Sequence, residues 1–254
     1  MEIEETEVPV VISTEEVSTD DKDINNRSVR FSGAPWYMPN IKVIVGGQGG
    51  IGSWLSIALS RQESELYTFD FDAVDETNQG GQFFNTGDIG KNKAEAMKEH
   101  IANFSANTNV TTFDKYDDDS FTGLIVFSAF DNMAARKLMY NKWKAFMLSD
   151  ESEGKQGVFI DGRLLMESMK VFAVTRANMD KYESVLYDDG EIPDVDCAQK
   201  ATTHCSMIIA GLMTGIYNNF LTNAKYKMNI REVPFLTEVE LPTLTFNTSE
   251  NEST

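Results

Sequence analysis

Residues 41–53, Ile-Lys-Val-Ile-Val-Gly-Gly-Gln-Gly-Gly-Ile-Gly-Ser, constrain this chain more than any other stretch. The apolar-leaning run predicts a buried parallel strand, and the glycines predict a break that opens a helix near Ser53. Gly47, Gly49 and Gly52 satisfy the spacing G-x-G-x-x-G, and Gly50 adds a fourth glycine. Such a loop needs glycine for a tight turn, for close backbone approach to phosphates and for close helix–sheet packing. A helix N-terminus adds unpaired N–H groups and a partial positive charge that favour an anion. The combination predicts nucleotide binding.

The rest of the chain alternates between strand and helix patterns. Residues 53–61 carry apolar residues at helical spacing. Residues 65–70 read as a second strand that ends on Asp70, near the offset at which an acid meets a ribose hydroxyl. A polar, glycine-containing loop over 71–90 precedes a helix over 92–103. Strands are predicted at 109–113 and 124–128, with Asp131 just past the latter and a helix over 132–147. Two more strands follow at 157–161 and 169–175. A long apolar helix over 198–223 is expected to turn Met207, Ile208, Ile209, Leu212, Met213, Ile216 and Tyr217 inward. Residues 239–246 read as a late edge strand interrupted at Pro242. The order predicts an α/β, Rossmann-like, doubly wound and mostly parallel sheet with a C-terminal helical and strand extension. One domain is expected over 27–246, between an acidic tail at 1–26 and a polar tail at 247–254. The bland alternative for part of the first tail is a short edge strand at 8–12. Ligands of such a sheet lie at the strands' C-terminal ends, where the glycine loop, Asp70, Asp131 and Asp161 are expected to gather.

A formal net charge of −18 argues against nucleic acid and against an anionic membrane surface, both of which need Lys and Arg. The two cysteines, Cys197 and Cys205, exclude a four-cysteine zinc site and argue against a disulfide framework. With neither a secretory leader pattern nor a membrane-length apolar run, the expected location is the cytoplasm. His100 and His204 read as structural or solvent-facing, and no Ser-His-acid arrangement is visible. Trp36 and Tyr37 are expected in packing or dimer contacts, and Asp117–Asp119 in a solvated loop.

Five blocks in order carry a resemblance to the ThiF/MoeB/ubiquitin-activating adenylyltransferase superfamily. Residues 47–53 resemble its G-x-G-G-x-G-S loop. Asp70-Phe71-Asp72-Ala73-Val74 with Asn78 resembles D-x-D-x-V…N. Gln82 stands at the glutamine of N-x-x-R-Q, Lys93 at the lysine of G-x-x-K, and Ala129-Phe130-Asp131-Asn132 with Arg136 and Asn141 resembles A-x-D-N…R…N. The match spans roughly residues 42–143. Beyond it, Asp161-Gly162-Arg163 with Glu167, and residues 197–202, resemble bacterial and phage ThiF-like proteins. The resemblance implies ATP-dependent adenylation of the C-terminal carboxylate of a ubiquitin-like or sulfur-carrier protein ending in Gly-Gly, with Mg²⁺, in a homodimer. It implies that Gly47, Gly49, Gly50 and Gly52 cradle phosphates, and that Asp70 or Asp72 holds the ribose. Asn78 and Gln82 position phosphates or the carboxylate, Lys93 offsets charge on the leaving pyrophosphate, and Asp131, beside Asn132, holds Mg²⁺.

The family pattern also fails in places. Gly81 occupies the position of the N-x-x-R-Q arginine. Arg30 or Arg27, acting in trans on a neighbouring subunit, and Arg163, expected past a strand end and acting in cis, are candidates to restore that charge. The zinc cysteines of many relatives are absent. Cys197 reads either as a thioester-forming nucleophile or as a structural helix-start cysteine, and Cys205 as core. Two other functions compete: a catalytically weak nucleotide- or partner-binding subunit, consistent with Gly81, and an NAD-dependent oxidoreductase. The latter lacks a Tyr-Lys or His-acid pair and leaves Asn78, Gln82, Lys93 and Asp131 without a task.

Overall fold

A computed structural model describes residues 31–105, 109–187 and 202–249. The apolar run becomes β1 (Lys42–Gly46), buried from Val43 onward. It is the central strand because it can bury both faces: Val43 and Val45 point to one side, Ile44 to the other. Parallel partners flank it, β2 (Glu65–Phe69) and β4 (Ile125–Ser128), and β3 (Val110–Phe113) lies outside β2. β5 (Val158–Leu165) runs parallel to β4. Then the sheet changes character: β6 (Ser168–Val174), β7 (Leu236–Glu240) and β8 (Thr245–Thr248) add in antiparallel fashion. The order is β3-β2-β1-β4-β5-β6-β7-β8. The chain reverses its direction of travel between β1 and β4, which places a ligand crevice at their carboxyl ends.

Five α-helices cover the sheet among the described residues. α1 (Gly50–Ser60) and α5 (Thr203–Tyr226) lie on the face of Val43, Val45, Phe127 and Ile160, where Leu55, Leu59, Ile209, Met213 and Tyr217 close the core. α3 (Met133–Met147) and the short α4 (Met179–Glu183) lie on the opposite face, where Met139, Tyr140, Trp143 and Tyr182 meet Ile44, Phe69 and Phe159. α2 (Lys93–Phe104) closes a smaller cluster of Val74, Phe84, Ala96 and Met97. No helix among the described residues is long and apolar enough to cross a membrane.

Several boundaries differ from the sequence reading. α1 begins at Gly50 rather than Ser53, because glycine can take the helical conformation where the pattern suggested only loop. β5 extends four residues past Asp161, since its antiparallel pairing with β6 continues after β4 has ended. The late strand is two strands, β7 and β8, hinged over the turn containing Pro242, and β8 runs into the expected tail as far as Thr248. Met207 and Ile208 are exposed on α5, because the inner stripe passes through Cys205, Ile209 and Met213 instead. Residues 1–30, including the expected tail, the alternative strand at 8–12, Arg27 and Arg30, lie outside the described residues, as does Cys197.

Candidate functional site

The loop between β1 and α1 is shaped by what its glycines lack. Gly47 has φ +86°, and a Cβ there would also sit 2.8 Å from the carbonyl oxygen of Ala129. A Cβ on Gly52 would lie 1.8 Å from the Gly47 carbonyl oxygen, so α1 can pack this closely on the loop only with hydrogen at that position. Gly49 differs: a Cβ there would meet nothing within 4 Å. Its side faces open space at the N-terminus of α1, where no side chain caps the helix and no acid occupies the first turn. That end therefore presents uncapped N–H groups to an anion. Beneath the loop, Gln48 is fully buried and accepts a 2.8 Å hydrogen bond from Ser56 Oγ.

Asp70 ends β2 beside this opening. It accepts from Gln48 N at 2.6 Å and from Asp72 N at 2.9 Å. Burial raises its pKa above the ordinary value, and these N–H donors offset only part of that effect. Asn92 caps α2 and donates its Nδ2 to the Asp70 carbonyl at 2.8 Å, joining the start of α2 to the end of β2. Lys93, the first residue of α2, is buried, and its Nζ lies 3.1 Å from Asp72 Oδ2. Asn78 is buried and accepts from Asp75 N at 3.0 Å in a capping box over the short 3-10 turn Glu76–Gly80. Gln82 follows, with a buried Oε1 that has no partner. The segment is held from two sides. Trp54 Nε1 donates to the Gly81 carbonyl at 3.0 Å, Phe83 N donates to Ser53 Oγ at 3.0 Å, and Thr203 Oγ1 donates to the Gly80 carbonyl at 2.6 Å.

On the other side of β1, Asp131 stands exposed past the end of β4, with Asn132 Nδ2 3.3 Å from its Oδ1. Asn132, not Asp131, caps α3, accepting from Ala135 N at 2.8 Å. Asp131 is therefore not engaged as a cap. One exposed carboxylate beside phosphate oxygens and water is a donor set that Mg²⁺ accepts. Among the described residues no three His, Cys, Asp or Glu side chains gather into a self-sufficient metal site. The open cradle at Gly49, with one cation and several carboxylates around it, fits a nucleotide triphosphate and a phosphate-bound magnesium.

Asp161 and Arg163 require correction. Asp161 does not line the strand ends as a free carboxylate. It is fully buried within β5 and accepts from Arg136 Nη1, from Arg163 Nε at 2.7 Å and from Tyr182 OH at 2.9 Å. Burial alone would raise its pKa, but the two guanidiniums and these hydrogen bonds outweigh that and hold it below the ordinary carboxylate value. Arg163 lies inside β5 rather than past its end, and its Nη1 donates to the Val185 carbonyl at 3.1 Å. It is therefore not a free cation beside the glycine loop. Arg136, which the resemblance places in its A-x-D-N…R…N block, is buried. It also donates to the carbonyls of Gly162 at 2.8 Å and Phe130, the residue before Asp131.

Tyr182 and Trp54 escaped sequence reasoning, since both sit in segments whose only visible signal is apolar spacing. His100 is structural, with Nε2 2.6 Å from Asp88 Oδ2. Cys205 is buried core. Trp36 packs on the main core.

Comparison with known proteins agrees with this geometry. An 86-residue stretch is 35% identical to ubiquitin-like modifier-activating enzyme 5 of Dictyostelium discoideum, covering 31% of this chain and 23% of that protein. Among solved structures, E. coli MccB shares the fold with a TM-score of 0.64 at 16% identity, over 90% of this chain and 70% of that one. PaaA does so with a TM-score of 0.61 at 19% identity, over 83% of this chain and 64% of that one. The chain thus spans less than a quarter of the curated relative and about two thirds of these structural neighbours. The sequence pattern of the ThiF family matches residues 38–251, nearly the whole described sheet and its helices, and the chain belongs to that family.

Proposed function

We propose that the chain is an ATP-dependent adenylyltransferase that activates the C-terminal carboxylate of a ubiquitin-like or sulfur-carrier protein ending in Gly-Gly. The observation that carries the reading is the open cradle at Gly49, set at an uncapped helix N-terminus between Asp70 and Asp72 with Lys93 on one side and Asp131 on the other. The structural neighbours support it: MccB has been crystallised with ATP and with MccA.

In the proposed reaction a carboxylate oxygen attacks the α-phosphorus of ATP. The bond from that phosphorus to the bridging oxygen breaks, and pyrophosphate leaves with the electron pair. The carboxylate is already ionised near neutral pH, so no general base is required. The loop N–H groups hold phosphate oxygens, and Asp70 or Asp72 accepts from the ribose hydroxyls. Lys93 moves from its pair with Asp72 to the charge growing on the leaving group, and Asn78 and Gln82 orient the reactants. Asp131, with Asn132 beside it, would hold a magnesium ion, which supplies charge neutralisation when bound. Arg30 of a second copy and the thiol of Cys197 are the proposed contributions from outside the described residues.

The test is ATP–pyrophosphate exchange driven by candidate carrier proteins, alongside calorimetric titration with ATP·Mg²⁺ and with NAD. Carrier-dependent exchange is expected. ATP binding without exchange by any carrier would favour the second reading, a binding subunit, which Gly81 in place of arginine supports. Tighter binding of NAD than of ATP would overturn both.

A further inference from the structure

We propose that Gln48 is a positioning residue for the ribose acid: its buried side chain, fastened to Ser56, holds the Gln48 N–H on Asp70 and so sets how that carboxylate faces a nucleotide. The ribose as the ligand of Asp70 rests on the adenylation reading; the fastening does not. Gly46, Gly47, Gly49 and Gly50 surround Gln48, so it is the one residue with a side chain between Val45 and Ile51. Glycine gives the backbone its widest range of conformations and offers no side-chain contact to narrow it. Any side-chain hold on this loop therefore comes from Gln48. Its side chain is fully buried, and Oε1 accepts from Ser56 Oγ at 2.8 Å. Ser56 is itself buried in the second turn of α1. The backbone N–H of the same residue donates to Asp70 Oδ2 at 2.6 Å. One residue thus joins the loop, α1 and the end of β2.

Packing alone does not account for a glutamine here. Gln48 Nε2 is buried with no hydrogen-bond partner among the described residues, so an apolar side chain of the same length would fill the space without that penalty. What the amide adds is direction, because a hydrogen bond fixes orientation where an apolar contact does not. The group that this direction controls is Asp70. Each of its oxygens takes one backbone N–H, Oδ2 from Gln48 and Oδ1 from Asp72 at 2.9 Å, which leaves acceptor capacity on both oxygens for a hydroxyl. Burial pushes the pKa of Asp70 up, and the two donors favour its charged form. The donors are not equivalent. The Asp72 N–H belongs to Asp70's own turn and moves with it. The Gln48 N–H ties the carboxylate to the glycine loop and so fixes the acid relative to the phosphate position.

The test uses Gln48→Met, Ser56→Ala and the two together, each in the full chain. Amide hydrogen exchange followed by NMR without nucleotide reads the fastening. The amide of residue 48 should exchange about tenfold faster or more in every variant, with the amides of β1 unchanged. Calorimetric titration with the magnesium complexes of ATP and of 2′,3′-dideoxy-ATP reads the consequence. The unaltered protein should bind ATP about tenfold or more tightly than the dideoxy analogue, the scale of one hydrogen bond to a charged group, and each variant should bring that ratio below about threefold. The double variant removes donor and acceptor together and so regains stability that a single change loses. Its lost discrimination should not return with that stability. Unchanged exchange at residue 48 overturns the proposal. Discrimination that returns with stability in the double variant overturns it too, since a structural prop behaves that way. Faster exchange in the variants, with equal binding of the two nucleotides by the unaltered protein, supports the fastening and removes the ribose from Asp70.

Discussion

Gly49 and Gly52, three residues apart at the start of α1, should fail in different ways. Gly49 caps α1 with φ −77° and ψ −143°, a ψ outside the α and β ranges that residues with a Cβ favour, although a Cβ there meets nothing within 4 Å. Gly49→Ala therefore costs the empty protein the difference between glycine and alanine at an N-cap together with the strain of that ψ, about 1–3 kcal/mol. For a chain of this size that lowers Tm by roughly 2–12 °C. The new methyl occupies the space through which the loop N–H groups reach phosphate. Loss of one charge-assisted hydrogen bond is worth about 1.5–3 kcal/mol, or roughly 10- to 150-fold in the dissociation constant for ATP·Mg²⁺. Gly52→Ala is the mirror case. Its Cβ would lie 1.8 Å from the Gly47 carbonyl oxygen, far inside the 3.0 Å that real Cβ contacts respect. The obstacle is backbone, so α1 has to move. The gain of about 1 kcal/mol in helix propensity does not offset overpacking of this size, and a net loss of at least ~2 kcal/mol is expected. Thermal melts and calorimetric titration of both variants check the pair. Gly49→Ala binding ATP like the unaltered protein would refute the assignment of Gly49 as the phosphate cradle.

Lys93→Met should cost less than ~1 kcal/mol of stability, because its partner Asp72 is half-exposed, yet slow pyrophosphate exchange by about 100-fold or more, the scale of a lost transition-state charge contact. Asp131→Asn should leave the melting temperature within about 1 °C, as expected for an exposed side chain that caps nothing. It should raise the magnesium concentration needed for half-maximal exchange, read from a magnesium titration. Asp161→Asn leaves two guanidiniums facing an uncharged partner and should cost about 3–5 kcal/mol by urea denaturation near neutral pH. Because the folded-state pKa of Asp161 is lowered, its stabilisation is complete above the unfolded carboxylate pKa and is lost as pH falls through the folded value. The gap between the two proteins should therefore narrow only in strong acid, and a gap constant with pH would show that Asp161 does not act through its charge.

The sequence made the parallel half of the sheet legible because its signals are local. A glycine loop, an acid some twenty residues on and continuous apolar strands each report a nearby constraint, and their order set the topology around β1. Asp70 and Asp72 follow the end of β2 and Asp131 the end of β4, so the strand pattern placed them at one edge, whereas Lys93 joins them by opening α2 beside Asp72. What it could not show depends on partners far apart in the chain. Asp161, read as a free strand-end carboxylate, is held by Arg136 from α3, by Arg163 on its own strand and by Tyr182 from α4. Nothing in the spacing of those four residues announces a shared site, and an acid that pairs at long range looks the same in sequence as one that waits for a ligand. The same limit explains Arg163. Its distance from the strand's expected end suggested a free cation, but β5 outlasts β4 only because β6 returns to pair with it. The antiparallel half thus turns an apparent loop arginine into a strand arginine. There its Nε is held by Asp161 and its Nη1 by the Val185 carbonyl. Chemistry of this chain that sets it apart from a generic nucleotide-binding sheet is therefore to be sought where the parallel strands stop and the antiparallel ones continue.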